Sequence, residues 1–323
     1  MKKILVTGAA GFIGSHLTEL LVSKGYKVTA FDRYNSYNSF GWLDNSKFKK
    51  KINFILGDIR DFDSVYKASK NQDIIFHLAA LIGIPYSYYS PAAYIKTNVE
   101  GTYNILEASK INKVKQIIVT STSETYGTAE TFSIKESHRS HAQSPYAASK
   151  VSADQLALSY YMSFNTPVKI IRPFNTYGPR QSLRAVIPTI ISQAINKNNI
   201  YLGNVDTSRD LTFVTDTVNA FIKVMNSKKL IGEAVNVGSN NNLNIRQLVE
   251  IISNLLNKKL NIILSKNRIR PSKSEVNRLR CNYSKIKSIT GWKPKKNVVS
   301  GIEETIRWVI ENKNATISNK YVI

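Results

Sequence analysis

Short apolar runs recur through the first half of the chain, separated by longer stretches whose apolar positions fall three or four apart. KILVT (3–7), KVTAF (27–31), INFIL (52–56), DIIFHLA (73–79), QIIVT (116–120) and VKIIRP (168–173) carry Ile and Val on consecutive positions. Consecutive rather than alternating apolar residues are the mark of strands buried on both faces. Between the first two lies FIGSHLTELLVSKG, where Ile13, Leu17, Leu20 and Leu21 line one helical face and Gly25 supplies a stop. The alternation predicts an α/β fold, a doubly wound parallel sheet with helices on both sides. After RPFNTYGPRQ the rhythm loosens, with Pro173, Gly178 and Pro179 marking a change near residue 173. Helices are predicted at VIPTIISQAIN, TDTVNAFIKVM, IRQLVEIISNLL and GIEETIRWVIE, with short strands at IYLG, LTFV, AVNVG and NIIL. The expected organisation is a first domain over 1–172 and a smaller α/β domain over 173–323, with part of 211–240 returning to the first.

Composition narrows this only a little. The 323 residues are 42% apolar, and no run reaches the roughly 18 apolar residues of a membrane span, so a soluble protein without membrane contact is expected. The start, MKKILVTGAAGFIG, resembles an export signal until the run stops at glycine, and it reads as a first strand. Cys281 stands alone, so no disulfide forms within the chain, which suits a reducing cytoplasm. The net charge of +23 would suit a nucleic-acid binder if it formed a stripe. Lys49, Lys50, Lys51, Lys228, Lys229, Lys295 and Lys296 instead fall in small clusters at predicted loops and helix ends. A solvated basic surface is the expectation, attractive to an anionic substrate rather than to nucleic acid.

The turn after the first strand carries chemistry. Gly8, Gly11 and Gly14 sit where strand becomes helix: Gly8 for the tight turn, Gly11 for close backbone approach to a pyrophosphate, Gly14 for close packing of helix on strand. Phe12 and Ile13 open the helix, whose free N–H groups favour phosphate charge. Asp32 follows Gly14 by 18 residues at the end of the second strand, where its carboxylate can accept both ribose hydroxyls. Together they form a Rossmann dinucleotide site, and Asp32 would repel a 2′-phosphate, which favours NAD; Arg33 beside it keeps NADP open. Asp58 and Ile59, after the third strand, suit an adenine edge, and Leu78, Ala79 and Ala80 set small residues beside the cofactor at the end of the fourth. His77 reads as a satisfied core histidine.

Tyr146 and Lys150 stand one turn apart on one face of the predicted helix SPYAASKVSADQLALSYY. A free phenol titrates at about 10, leaving about one in a thousand ionised at neutral pH. A lysine cation and a positively charged nicotinamide favour the phenolate, which can then take a hydroxyl proton while hydride leaves the same carbon.

The glycine turn, HLAA, TNVEGT (97–102), Tyr146 to Lys150, RPFNTYGPR (172–180) and GWKP (291–294) cover nearly the whole chain and resemble the extended short-chain dehydrogenases/reductases, the nucleotide-sugar epimerases and dehydratases. The resemblance implies that Thr122 hydrogen-bonds the sugar O4, Tyr146 is the base and Lys150 its partner in oxidation at C4. Members that only invert C4 carry small or apolar residues after the hydroxyl; here Glu124 follows Thr122 by two positions. A C4 ketone acidifies the C5 proton, and a carboxylate aimed at it drives loss of the 6-hydroxyl as water. Thr-Ser-Glu is similar to GDP-mannose 4,6-dehydratases, where dTDP-glucose 4,6-dehydratases have Thr-Asp-Glu; Ser123 is a weak acid, so the proton donor to the departing hydroxyl stays open between Ser123 and Glu124 acting as both base and acid. Some UDP-glucuronate decarboxylases share the triplet. ALIGIPYSYYSP, STSETYGTA, FNTYGPRQSLRAVIPTII and RPSKSEVNRL resemble most the 4,6-dehydratases of bacterial legionaminic acid synthesis, which implies nucleotide-activated N-acetylglucosamine, the GDP form first, as substrate. The same resemblance puts Asn175, Arg209 and Arg270 on the diphosphate and Glu275 on the nucleotide ribose, with Arg180 and Arg184 as further candidates. It also implies a homodimer through helices around 92–110 and 146–163.

His138 and His141 in HRSH have no clear partner set, so no metal is expected. Two rivals stay open: a C4 epimerase or UDP-glucuronate decarboxylase on the same scaffold, and a basic NAD-binding regulator without turnover.

Overall fold

The computed structural model describes residues 1–312; residues 313–323 of the expected second domain lie outside the described residues. The apolar runs become β1 (Lys3–Thr7), β2 (Lys27–Arg33), β3 (Ile52–Gly57), β4 (Ile74–His77), β5 (Gln116–Thr120) and β6 (Val168–Pro173). Ala234–Val237 is a seventh strand, β7, of the same sheet. The order is β7-β6-β5-β4-β1-β2-β3 and every pairing is parallel. Consecutive apolar residues are accommodated because both faces are covered: Ile4 and Val6 enter one core cluster, Leu5 the other. Each is fully buried, and each such side chain contributes about 1.5–3 kcal/mol.

The chain winds outward from β1 through β3, then restarts on the other side of β1 with β4. That reversal opens a crevice at the carboxyl ends of β1 and β4, where Thr7 lies in register with His77. Helix Pro145–Phe164 runs across the sheet near this end; Ser144 caps it, accepting from the Ala147 N–H at 3.1 Å, and Asn165 ends it in the left-handed region. The helical stretch from Pro91 to Ile111 is continuous but contains a π-helical turn at Ile95–Glu100.

Beyond Pro173 the strands Asn175–Tyr177, Ser208–Phe213 and Asn242–Asn244 form a small sheet, and Asn199–Leu202 pairs with Asn261–Leu264. Helices Val186–Asn196, Ile245–Leu256 and Val298–Glu311 pack on one another beside them. Between these pieces the chain goes back: helix Val214–Asn226 packs on helix Phe12–Ser23, sets the Phe221 ring 6.0 Å from Phe76, and leads into β7 on the β6 edge. One core cluster therefore runs from Ile4 and Val6 to Ile187, Leu248 and Ile302. No helix of the described residues is long and apolar enough to cross a membrane.

Candidate active site

The glycine turn is built of backbone. Gly8 takes φ +68°, its N–H donates to Phe31 O at 3.0 Å, and Gly11 N–H donates to Gly8 O at 3.2 Å. A Cβ on Gly14 would stand 2.0 Å from Gly8 O, so helix and turn touch as only glycine permits. Helix Phe12–Ser23 has no side-chain N-cap and no acidic residue in its first turn, which leaves its N-terminal N–H groups for an anion. Asp32 is tied to the same turn: one oxygen accepts from Ala10 N–H at 2.7 Å, the other from Arg33 N–H at 2.8 Å. Burial pushes its carboxyl above the ordinary carboxylate range. These residues fit a dinucleotide.

The floor beside the turn is held by a relay. Thr102 Oγ1 donates to Asn98 O, so it accepts from His77 Nε2 at 3.1 Å; Nδ1 is then bare and accepts from Thr7 Oγ1 at 2.9 Å. Thr7 Oγ1 in turn accepts from Ala79 N–H at 3.2 Å, and Leu78 N–H donates to Thr7 O. Burial drops the His77 imidazole to about 3, so it stays neutral. Leu78, Ala79 and Ala80 thus line the crevice on a fixed backbone. Ile59 is buried against Gly101, and its carbonyl accepts from Asn104. Both oxygens of Asp58 are engaged by Arg60, at 2.5 to 3.1 Å, which holds that carboxyl below its usual range.

At the end of β5 the chain enters the short 3-10 turn Ser123–Tyr126, capped by Thr122, whose Oγ1 accepts from Glu124 N–H at 3.3 Å. This brings Thr122, Ser123 and Glu124 to the start of helix Pro145–Phe164, where Tyr146 and Lys150 are buried. Glu124 is 9% exposed, and its charge is felt by both Tyr146 and Arg209. The five residues read as catalytic therefore converge. The electrostatics differ from the sequence expectation. Burial drives the Tyr146 phenol upward, opposed by its neighbour Thr122, and the Glu124, Tyr94 and Asp154 charges add to the rise. Lys150, pushed down to about 8 by burial, donates from Nζ to Thr120 O at 2.6 Å. Spacing on a helix predicts a shared face; it does not say which group the ammonium grips.

Arg209 and Arg270 meet on one oxygen of Glu275, at 3.3 and 3.4 Å, with Arg209 almost fully buried. The segment carrying Glu275 is held across the cleft by Tyr88, whose hydroxyl lies 2.7 Å from Ser274 Oγ, and by Gln143, which donates to Lys273 O at 3.0 Å. Asn175 Oδ1 is buried without a hydrogen-bond partner among the described residues. Arg180 is paired with Glu19 on helix Phe12–Ser23 at 3.0 Å instead of joining the other two arginines, and Arg184 hydrogen-bonds Ser182. Among the described residues no group of three or more His, Cys, Asp or Glu is disposed to hold a metal.

Two features escaped the sequence reading. Asn98, in the π-helical turn, accepts from Leu81 N–H at 2.8 Å and donates to Leu81 O and Ser149 Oγ, both at 2.9 Å, fastening the crevice wall to the Tyr146 helix. Its signal was an asparagine inside the amphipathic TNVEGT. Asp154, one turn past Lys150, accepts from Ser121 Oγ at 2.8 Å and from Arg172 Nε and Nη2 at 3.0 and 2.9 Å; an acid four residues after Lys150 was the clue.

The family described as GDP-mannose 4,6 dehydratase matches residues 5–305. The chain belongs to that family. This makes it an extended short-chain dehydrogenase/reductase of the nucleotide-sugar dehydratase and epimerase type. It is 31% identical to a UDP-N-acetyl-alpha-D-glucosaminuronate decarboxylase of Bacillus cytotoxicus, over 97% of this chain and 99% of the relative. It is 32% identical to the human dTDP-D-glucose 4,6-dehydratase, over 96% and 91%. The dTDP-glucose 4,6-dehydratase DesIV of Streptomyces venezuelae, solved with NAD bound, superimposes with a TM-score of 0.87 at 28% identity, over 97% of this chain and 98% of that one.

Proposed function

We propose that this member of the family is an NAD-dependent 4,6-dehydratase acting on a nucleotide-activated N-acetylhexosamine, GDP-N-acetylglucosamine first, to give the 4-keto-6-deoxy sugar for legionaminic acid synthesis. The observation that carries the reading is Glu124: a buried carboxylate in the same short turn as Thr122, close enough to Tyr146 for its charge to be felt there. Inversion at C4 requires no proton to leave C5, so it calls for no such carboxylate.

The turn at Gly8, Gly11 and Gly14 with Phe12, Ile13, Asp32, Asp58, Ile59 and the 78–80 floor would hold NAD, which would supply the acceptor for the C4 hydride and the donor for its return to C6. Thr122 orients O4 and Tyr146 takes its proton. Because burial alone keeps the phenol protonated, this transfer relies on positive charge at the site, which Lys150 contributes from one turn away. Glu124 removes the acidified C5 proton and delivers it to the departing 6-hydroxyl, which leaves as water, since Ser123 is too weak an acid for that role. The O4 proton stored on Tyr146 balances the one that returns to C5. Arg209, Arg270 and Asn175 receive the diphosphate, Glu275 the ribose; Arg180, paired with Glu19, supports the cofactor side instead.

A second reading, decarboxylation of a nucleotide hexuronate after the same C4 oxidation, is favoured by the Bacillus cytotoxicus relative. Mass spectrometry separates them. Purified protein incubated with GDP- or UDP-N-acetylglucosamine is expected to yield a product lighter by one water; loss of carbon dioxide from UDP-N-acetylglucosaminuronate marks the decarboxylase, and unchanged mass with inverted C4 an epimerase.

The division near residue 173, a cytoplasmic location and the absence of nucleic-acid or membrane partners belong to this reading. So does a homodimer through the helices around 92–110 and 146–163, on which Ile95, Tyr103, Ile111, Met162 and Phe164 stand exposed.

A further inference from the structure

Behind the Tyr146–Lys150 pair lies a buried ionic network that the reaction scheme leaves unused. Asp154 is 1% exposed and Arg172 5%. One Asp154 oxygen takes Ser121 Oγ and two guanidinium nitrogens; the other has no hydrogen-bond partner. Arg172 continues through Nη1 to the Tyr126 hydroxyl at 2.7 Å, and Tyr126 donates to Asn236 Oδ1 on β7 at 2.8 Å. Tyr126 closes the turn that carries Glu124, while Asp154 shares a helix with Tyr146 and Lys150. Lys150 grips Thr120 O and Asp154 grips Ser121 Oγ, so both hold the exit of β5.

We propose that the Asp154–Arg172 pair sets the charge on Lys150, making Asp154 a positioning residue for the proton transfer at Tyr146. The proposal rests on the reading above that Lys150 serves Tyr146. Lys150, Asp154 and Arg172 form a buried set with one negative and two positive groups. A carboxylate in a dry site favours a neighbouring ammonium, and an arginine that never releases its proton opposes it. Asp154 does raise the Lys150 value against the larger effect of burial. The other titratable groups around the pair are Tyr146 itself, neutral His77 on β4, which feels the Lys150 charge, and Glu124 and Tyr94, which face Tyr146. Tyr126 and Glu136 lie on the far side of Arg172. None of these replaces Asp154 as a counter-charge to Lys150.

Asp154→Asn keeps the shape and removes the charge, leaving two buried cations, so Lys150 gives up its proton at lower pH. Arg172→Gln frees Asp154 for Lys150 and acts in the opposite direction. The test uses the full NAD-loaded chain with lysine labelled at Cε, the Lys150 resonance being identified by its loss in Lys150→Met. The expected result is a midpoint lowered by at least tenfold in proton affinity in Asp154→Asn, raised in Arg172→Gln, and returned toward the original by Asp154→Glu. The alkaline limb of the C4-oxidation rate against pH follows the same order. An unmoved or raised midpoint in Asp154→Asn, or a lowered one in Arg172→Gln, overturns the proposal, so each variant tests the sign by itself. If no nucleotide sugar is oxidised the proposed function fails, while the resonance titration still judges this one.

Discussion

Replacing the three glycines of the first turn by alanine, one at a time, tests whether that turn is shaped by steric necessity. At Gly14 the new Cβ lies 2.0 Å from Gly8 O and 3.0 Å from Ala9 Cα, all backbone, so helix and turn must part by about 1.4 Å to reach ordinary contact. Overpacking of this kind costs about 3 kcal/mol or more, which lowers the melting temperature by roughly 5 °C and, if borne by the bound state, weakens NAD more than about 100-fold. At Gly8 the contact is milder, 2.8 Å to Ala79 N, but φ +68° adds about 1–2 kcal/mol for a side chain in the left-handed region. At Gly11 the only close atom is Gly8 O at 3.3 Å, so the free protein loses less than about 1 kcal/mol. Its methyl instead occupies the approach of the pyrophosphate. Thermal unfolding of NAD-stripped protein is expected to rank Gly14→Ala below Gly8→Ala below Gly11→Ala, while calorimetric titration finds NAD weakened in all three. A Gly14→Ala protein that melts and binds like the parent, or a Gly11→Ala protein with full NAD affinity, would refute the reasoning.

Glu124→Gln is expected to leave C4 oxidation within tenfold and to cut water elimination by about 100-fold or more, read by product mass and by loss of solvent deuterium at C5. Asn98→Ala strands both polar groups of Leu81 and costs about 2–4 kcal/mol in urea unfolding. Lys169, buried at 1% exposure with Nζ on Val224 O and Met225 O, is held down at about 8, below its unfolded value of about 10.4. The folded chain therefore binds fewer protons across that window, and the stability contribution of this group rises with pH; Lys169→Met is expected to flatten the rise by up to about 1.4 kcal/mol per pH unit in urea titrations between about pH 8 and 10. Met162→Glu places a charge on the exposed helix face and is expected to yield monomers in sedimentation without lowering the melting temperature of the single chain.

Most of the main sheet was legible because a strand covered on both sides is largely apolar, a rule β1, β4 and β5 follow closely, while edge strand β3 is half-exposed and β6 buries Lys169 and Arg172. β7 was legible as a strand but not as a neighbour of β6, since the pairing of Ala234 with Ile170 joins residues far apart in sequence and leaves no local trace. β4 is shorter than DIIFHLA because the chain turns at Leu78 to bond Thr7. The π-helical turn at Ile95–Glu100 has no periodicity of its own to read. In the site, residue types and spacing singled out Tyr146 and Lys150, and the family resemblance singled out Thr122 and with it Glu124. They left out the burial that drives the Tyr146 phenol upward, because burial is a property of the whole fold. Arg209, Arg270 and Glu275, spread over two segments, meet because the chain after Glu275 bonds to Ser208 beside Arg209, while Tyr88 and Gln143 hold the Pro271–Glu275 bend.

The return of the chain through helix Val214–Asn226 and β7 also ties the region beyond Pro173 to the main sheet. Polypeptide passes between the main sheet and the smaller sheet after Pro173, before Val214 and after Val237, and helix Ser284–Thr290 packs back on β7 and on helix Val214–Asn226. Cut at any one crossing, that region stays fastened by the others and by the core cluster that runs through both. A protease nick near residue 173 leaves it attached, and a fragment ending there bares the β6 edge, an unpaired strand that recruits other chains into aggregates.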